Sequence, residues 1–244
     1  VTELLDGRLT VHLAPGTATD QAPGPAPIVL VLPGGGYNVH APHEAEPVAR
    51  WLGGIGLHAA VLRYRLRPQG STAPLDDARA AVRALREGAA GPRVDASRVG
   101  VLGFSAGGHL AAWLAGGPQA DEVERPDLAV LCYPLISMAH LPHPGSLEAL
   151  LGTDAGPDER RAASMEYAVD PATPPVFCWH TAEDGAVDVE HALRYTTALR
   201  RAGVPLELHV LPHGAHGLGL AQENPYAARW TGWCAEWFAL QGWR

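Results

Sequence analysis

Val99-Gly100-Val101-Leu102-Gly103-Phe104-Ser105-Ala106-Gly107-Gly108-His109-Leu110 packs a strand, a sharp turn and a helix start into one short run. Val99 to Leu102 is continuously apolar, as a strand buried on both faces must be. Ala106 to Ala115 is rich in Ala, Leu and Gly and reads as a helix. Between them stands the pattern G-x-S-x-G, with Ser105 at its centre. A serine on a strand-to-helix turn holds its hydroxyl above the sheet, and only small neighbours, here Gly103, Ala106 and Gly107, tolerate that turn. The helix N-terminus beneath it favours developing negative charge. An ordinary glycine-rich turn is the competing reading, and the strand-before, helix-after context argues against it.

Working outward, strands alternate with helices. Short apolar runs at Ile28–Leu32, His58–Tyr64, Val99–Phe104, Leu128–Tyr133, Val176–His180 and Leu206–Leu211 read as strands. Glu44–Leu52, Leu75–Glu87, Ala106–Ala115, Val189–Ala202 and Ala227–Leu240 read as helices. This alternation predicts an α/β fold with a mostly parallel, twisted sheet covered by helices on both faces. Leu9, Val11 and Leu13 alternate with polar residues, as in an edge strand. Ala14 to Pro27 reads as a surface loop. Neither a repeat nor a linker is visible, so residues 1–244 are expected to form one domain. Residues 134–175 are the irregular stretch, with short helical pieces near Leu147–Leu151 and Asp158–Ala163. Their place after a strand at the carboxyl edge predicts a small partial lid.

Composition bounds the partners. The 244 residues suffice for a sizeable core. The net charge of −8 argues against nucleic acid or an anionic membrane. All basic residues are arginine, which excludes Schiff-base and P-loop lysine chemistry. Cys132, Cys178 and Cys234 show no metal spacing and read as buried thiols. Val1–Asp6 is neither basic nor continuously apolar, so no leader is read there and a cytoplasmic location is expected.

A serine nucleophile needs a base, and the base an orienting carboxylate. For this turn type the chain order is serine, acid, histidine. The base lies in Pro212-His213-Gly214-Ala215-His216-Gly217. His216 is preferred over His213 because Ala215 and Gly217 let the loop approach the serine. A metal pair is the weaker reading of His-x-x-His, since no third ligand accompanies it. After Val176–His180 three acids compete, Glu183, Asp184 and Asp188. Asp184 is preferred because Gly185 allows a tight turn, while Asp188 suits a helix N-cap. The oxyanion hole needs two backbone N–H groups. Ala106 supplies one, and Gly34-Gly35-Gly36-Tyr37, through Gly35 and Gly36, the other. A glycine triplet alone could equally make a plain turn or hold a phosphate.

The chain resembles the α/β-hydrolase superfamily, and within it small bacterial esterases of the acetyl-xylan-esterase and carbohydrate-esterase type. The resemblance runs from Ile28 onward. It rests on Pro33-Gly34-Gly35-Gly36-Tyr37, Glu44-Ala45-Glu46-Pro47-Val48-Ala49, Val61-Leu62-Arg63-Tyr64, Gly103–Leu110, His180-Thr181-Ala182-Glu183-Asp184 and Gly214-Ala215-His216-Gly217. It implies a Ser105–Asp184–His216 triad, and supports Asp184 because the family's acid stands three residues before a valine, here Val187. Pro33 replaces a histidine common in related esterases, and Asp188 a proline. The implied activity is cofactor-free hydrolysis of small acyl esters, acetyl above all, with an oligosaccharide or other small-molecule ester as substrate. An amide hydrolase such as an arylformamidase or small peptidase would use the same triad, and a silent binding protein on this scaffold is a remote alternative.

Tyr37, after the glycines, is expected to shape the substrate pocket, and His40 and His43 to reach its rim in a minority reading. His109 reads as a packing or hydrogen-bonding residue. Trp230, Trp233, Trp237 and Phe238 share a helix face that reads as core, with a homo-oligomer interface as the alternative.

Overall fold

The computed structural model describes residues 2–15, 25–67, 72–117 and 122–244. Eight strands are β1 (Thr2–Leu4), β2 (Leu9–His12), β3 (Ala26–Leu32), β4 (His58–Leu62), β5 (Val94–Phe104), β6 (Ala129–Cys132), β7 (Val176–Thr181) and β8 (Leu206–Leu211). They form one sheet in the order β1-β2-β4-β3-β5-β6-β7-β8. β1 and β2 are antiparallel to their neighbours, and every pairing from β4 to β8 is parallel.

Period-two alternation explains the two cores. Ile28, Leu30, Val99, Val101, Ala129, Leu131, Val176 and Cys178 face one side. Val29, Val31, Leu102, Phe104, Val130, Cys132, Phe177 and Trp179 face the other. Both sides are dry because helices cover both, which is why these strands read as apolar throughout. The first side receives α2 (Ala73–Arg86), α3 (Ala106–Gly116) and α6 (Glu190–Ala202). The second receives α1 (Glu46–Gly54) and α7 (Trp230–Leu240). The architecture is the mostly parallel α/β sheet that the alternation predicts, and it is the α/β-hydrolase fold that the resemblance implies.

Two expectations need adjustment. β2 is not an edge strand, because Thr2–Leu4 pairs along its outer side and leaves Leu9 and Val11 buried. The helix expected from Glu44 starts instead at Glu46, preceded by a 3-10 turn at Pro42–Glu44 that turns Glu44 inward. The expected loop over Ala14–Pro27 lies, at 16–24, outside the described residues.

The aromatic face of α7 is core. Trp230 stacks on Trp179 with ring centroids 5.3 Å apart, and Trp237 and Phe238 are buried beside it. Trp233 is half-buried and stacks on His209 of β8. The three cysteines are buried free thiols, and burial pushes Cys178 up to about 12.

Residues 134–175 fold as α4 (Pro144–Leu151), α5 (Pro157–Ala162) and a 3-10 turn at Met165–Tyr167. The His109 ring joins this segment to α3: its Nε2–H donates to the Ala163 carbonyl at 2.8 Å, and its Nδ1 accepts the Tyr37 hydroxyl at 2.7 Å.

Candidate active site

Parallel strands place their carboxyl ends, and the loops that follow, along one edge of the sheet. β5 ends at Phe104 and α3 begins at Ala106, leaving Ser105 alone to reverse the chain. Its backbone sits at φ 52°, ψ −116°, a conformation an L-residue rarely adopts. Three hydrogen bonds hold the strain in place. Ser105 N–H donates to Cys132 O at 3.0 Å, and Ser105 O accepts from His109 and Leu135. Gly107 is required by crowding: a Cβ there would lie 2.1 Å from the Leu32 carbonyl oxygen.

The loop after β8 brings His216 over this turn. Its Nε2 accepts the Ser105 hydroxyl at 2.7 Å, and its Nδ1–H donates to Asp184 Oδ2 at 2.6 Å. Asp184, in the loop after β7, has its other oxygen fixed by the N–H groups of Ala186 and Val187. Burial raises its carboxyl pKa, but hydrogen bonds from His180, His216 and Val187 outweigh that and hold it well below the usual carboxylate range. Of the competing residues, His213 pairs with Glu183 at 2.8 Å, both exposed. Asp188 accepts the Glu190 N–H at the start of α6.

The His216 loop is glycine-rich and would be loose by itself. Thr181 Oγ1 donates to Gly214 O, His43 Nε2–H to Gly217 O, and Trp230 Nε1–H to Gly219 O. Gly219 N–H in turn donates to the Tyr133 hydroxyl at 2.7 Å.

Ser105 and His216 open into a cavity of about 310 Å³. Gly35, Gly36, Asn38, His43, Glu44, His143 and Ser146 share its wall. Gly35 stands at φ 125°, and a Cβ there would lie 2.1 Å from Val39 O, so this turn demands glycine. Ala106 opens α3, where N–H groups have no partner in the preceding turn. α4 contributes His143 and Ser146 through its first turn, where His143 Nδ1 accepts the Ser146 N–H. A larger open groove of about 690 Å³ lies between the Met165–Tyr167 turn and α6, with no serine–histidine pair in its wall.

Tyr37 is a correction. Its side chain is 1 % exposed, points into the core against Tyr64 and His109, and does not line the cavity. The positive φ of Gly36 and of Tyr37 itself turns the chain inward there. Of the two rim histidines, His43 lines the cavity, whereas His40 packs on Tyr64.

Sequence reading missed Glu44 and Tyr133. Glu44 is 2 % exposed in the cavity wall, with Oε2 accepting Gly34 N–H and Oε1 accepting Tyr133 O–H, both at 2.7 Å. Burial raises its carboxyl pKa, against those two hydrogen bonds and the nearby His43 and His216 rings. An acid at the head of an apparent helix carried no signal of burial.

A parallel sheet with a serine elbow at its carboxyl edge, and a histidine and an acid in the loops after its last two strands, is the arrangement of the α/β-hydrolase fold. The chain matches the model of the prolyl oligopeptidase family over residues 62–241 and belongs to that family. It is 36 % identical to endo-1,4-beta-xylanase B of Butyrivibrio fibrisolvens over 217 residues, 84 % of this chain and 34 % of that protein. It is 32 % identical to an acetylxylan esterase of Xylanibacter ruminicola over 197 residues, 78 % of this chain and 41 % of that one. The chain thus spans well under half the length of these relatives. The crystal structure of an acetyl ester-xyloside bifunctional hydrolase from Caldicellulosiruptor lactoaceticus superposes with a TM-score of 0.88. It is 44 % identical, covering 96 % of this chain and 88 % of the other.

Proposed function

We propose that the protein is a carboxylesterase that removes small acyl groups, acetyl above all, from carbohydrate esters such as acetylated xylan fragments. The observation that carries the chemistry is the continuous Ser105–His216–Asp184 hydrogen-bond chain, 2.7 and 2.6 Å long in its two links. The acetyl and sugar preferences are supported by the names of the relatives, and the limit to small acyl groups by the small cavity.

Ser105 Oγ attacks the ester carbonyl carbon as its proton passes to His216 Nε2. Asp184 keeps the His216 Nδ1–H tautomer and stabilises the imidazolium. Gly35, Gly36 and Ala106 N–H groups receive the oxyanion. Collapse breaks the acyl–oxygen bond, and His216 returns the proton to the departing alcohol. Water, deprotonated by His216, then attacks the acyl-enzyme. This releases the carboxylic acid and restores Ser105.

Hydrolysis of 4-nitrophenyl acetate, butyrate and octanoate, beside acetylated xylo-oligosaccharide, tests this reading with Ser105→Ala as control. The expected result is fast acetate release, decline with acyl length, sugar deacetylation, and loss of all of it in the variant. Activity unchanged in Ser105→Ala would overturn the reading. The family match favours one second reading, cleavage of a peptide or other amide bond by the same residues. Faster turnover of a prolyl-peptide anilide than of any ester would select it.

A further inference from the structure

Glu44 is a buried carboxylate that the hydrolytic steps above do not use. Removing a carboxylate from water is costly, and its nearest basic neighbour is a weak one: His43 Nε2, 3.6 Å away and half exposed. What Glu44 does have is two hydrogen-bond donors from different parts of the site. Gly34 N–H belongs to the glycine loop that presents Gly35 and Gly36 to the cavity. The Tyr133 hydroxyl accepts Gly219 N–H from the His216 loop, so it donates its proton to Glu44. The Tyr133 ring also packs edge-on against the His216 ring, with centroids 5.1 Å apart. Tyr133 is itself held at φ 37°, a strained angle for a tyrosine, at the end of β6.

We propose that Glu44 is a positioning residue that locks the oxyanion-side glycine loop and the His216 loop into one register through Tyr133. The proposal rests on the reading of Ser105 and His216 as nucleophile and base. The direction of the bonds explains the choice of side chain. Both partners must donate, and only a carboxylate offers two acceptors and no donor. Glutamine could accept from Gly34, but would then aim its NH₂ at a Tyr133 oxygen already taken by Gly219 N–H. Because Gly34 N–H is spent on Glu44, the oxyanion contacts fall to the next residues in the loop. A site built this way loses rate rather than binding when the lock is released, since misplacement of reacting groups weakens the transition state first.

The test compares wild type, Glu44→Gln, Tyr133→Phe and the double variant on 4-nitrophenyl acetate, together with the rate at which a phosphonate ester labels Ser105. Each single change is expected to lower kcat and the labelling rate by about 10- to 100-fold, with KM within about threefold. The double variant should lose little more than the worse single one, because both act through one chain of bonds. Wild-type kcat in the folded single variants would overturn the proposal. So would losses that multiply in the double variant, or a change in KM alone. If Glu44→Gln does not fold, Tyr133→Phe, which keeps the ring, decides by the same measurements. If wild type turns over no ester, the functional reading fails alone, and phosphonate labelling still decides the positioning role.

Discussion

His180 Nε2 lies 3.3 Å from Asp184 Oδ2, the same oxygen that meets His216 Nδ1. His180 also donates to Val187 O at 2.8 Å, so it closes the buried side of the loop that aims Asp184. Both side chains are fully buried. The carboxylate is thereby oriented by one imidazole from below while it orients the other above.

Asp184→Asn should therefore leave the loop folded, since an amide oxygen still accepts the Ala186 and Val187 N–H groups. The charge and the second acceptor are lost, and the His216 tautomer with them. The expected fall in kcat is ~10⁴-fold. Steady-state kinetics beside far-UV circular dichroism checks this, and a loss below about tenfold would remove Asp184 from the triad.

Acid should unfold the protein from the mildly acidic range downward. His109 and His191 are buried, and burial is the leading cause that pushes each down to about 4. Geometry agrees. His109 Nδ1 accepts the Tyr37 hydroxyl, and His191 Nδ1 accepts the N–H groups of Ile136 and Ser137, so a proton on either nitrogen would displace a donor. Above the ordinary histidine value of 6.5 both are neutral, folded or unfolded. Between there and about 4 the unfolded chain takes protons that the native state refuses, so stability falls as pH falls. Each group can cost on the order of 3 kcal/mol by the bottom of that window. Asp184, with its depressed value, adds a loss only at lower pH. Urea midpoints measured at about pH 7 and about pH 4.5 should separate clearly, and coincident midpoints would refute this account.

Gly107→Ala tests the crowding at the elbow. The added methyl would collide with backbone, not with a flexible side-chain end, so β3 and α3 must separate. A loss of about 3 kcal/mol or more is expected, read from urea unfolding. A variant within about 0.5 kcal/mol of wild type would show that the elbow can relax.

The α7 face offers a contrast between core and surface. Trp230→Ala removes a fully buried ring stacked on Trp179 and should cost about 3–5 kcal/mol. Trp233→Ala removes a half-buried ring stacked on His209 and should cost about 1 kcal/mol. Denaturant titration ranks the two. The reverse order would point to Trp233 as the anchor of an interface.

How much was legible in the amino-acid order follows from the range of the interactions involved. The run Val99–Leu110 specified a strand, a serine on a sharp turn and a helix, because apolar periodicity and small-residue requirements act over a few neighbours. The same local rules marked the parallel strands and the helices on both faces. Which imidazole meets which acid is a different kind of fact. His213 and His216 are three residues apart in one loop, and the flanking Ala215 and Gly217 favoured His216 without showing which acid either ring meets. Only the folded loops turn one toward exposed Glu183 and the other between Asp184 and Ser105. Tyr37 followed the glycines in the chain yet points into the core, because positive φ at Gly36 and Tyr37 reverses it. Glu44 and Tyr133 are 89 residues apart and gave no shared pattern, but packing of the 3-10 turn against the end of β6 joins them beside Ser105. Short-range sterics and hydrophobic periodicity are written into neighbouring residues. The pairing of polar side chains from separate loops depends on how the sheet brings those loops to one edge, and only the tertiary structure decides it.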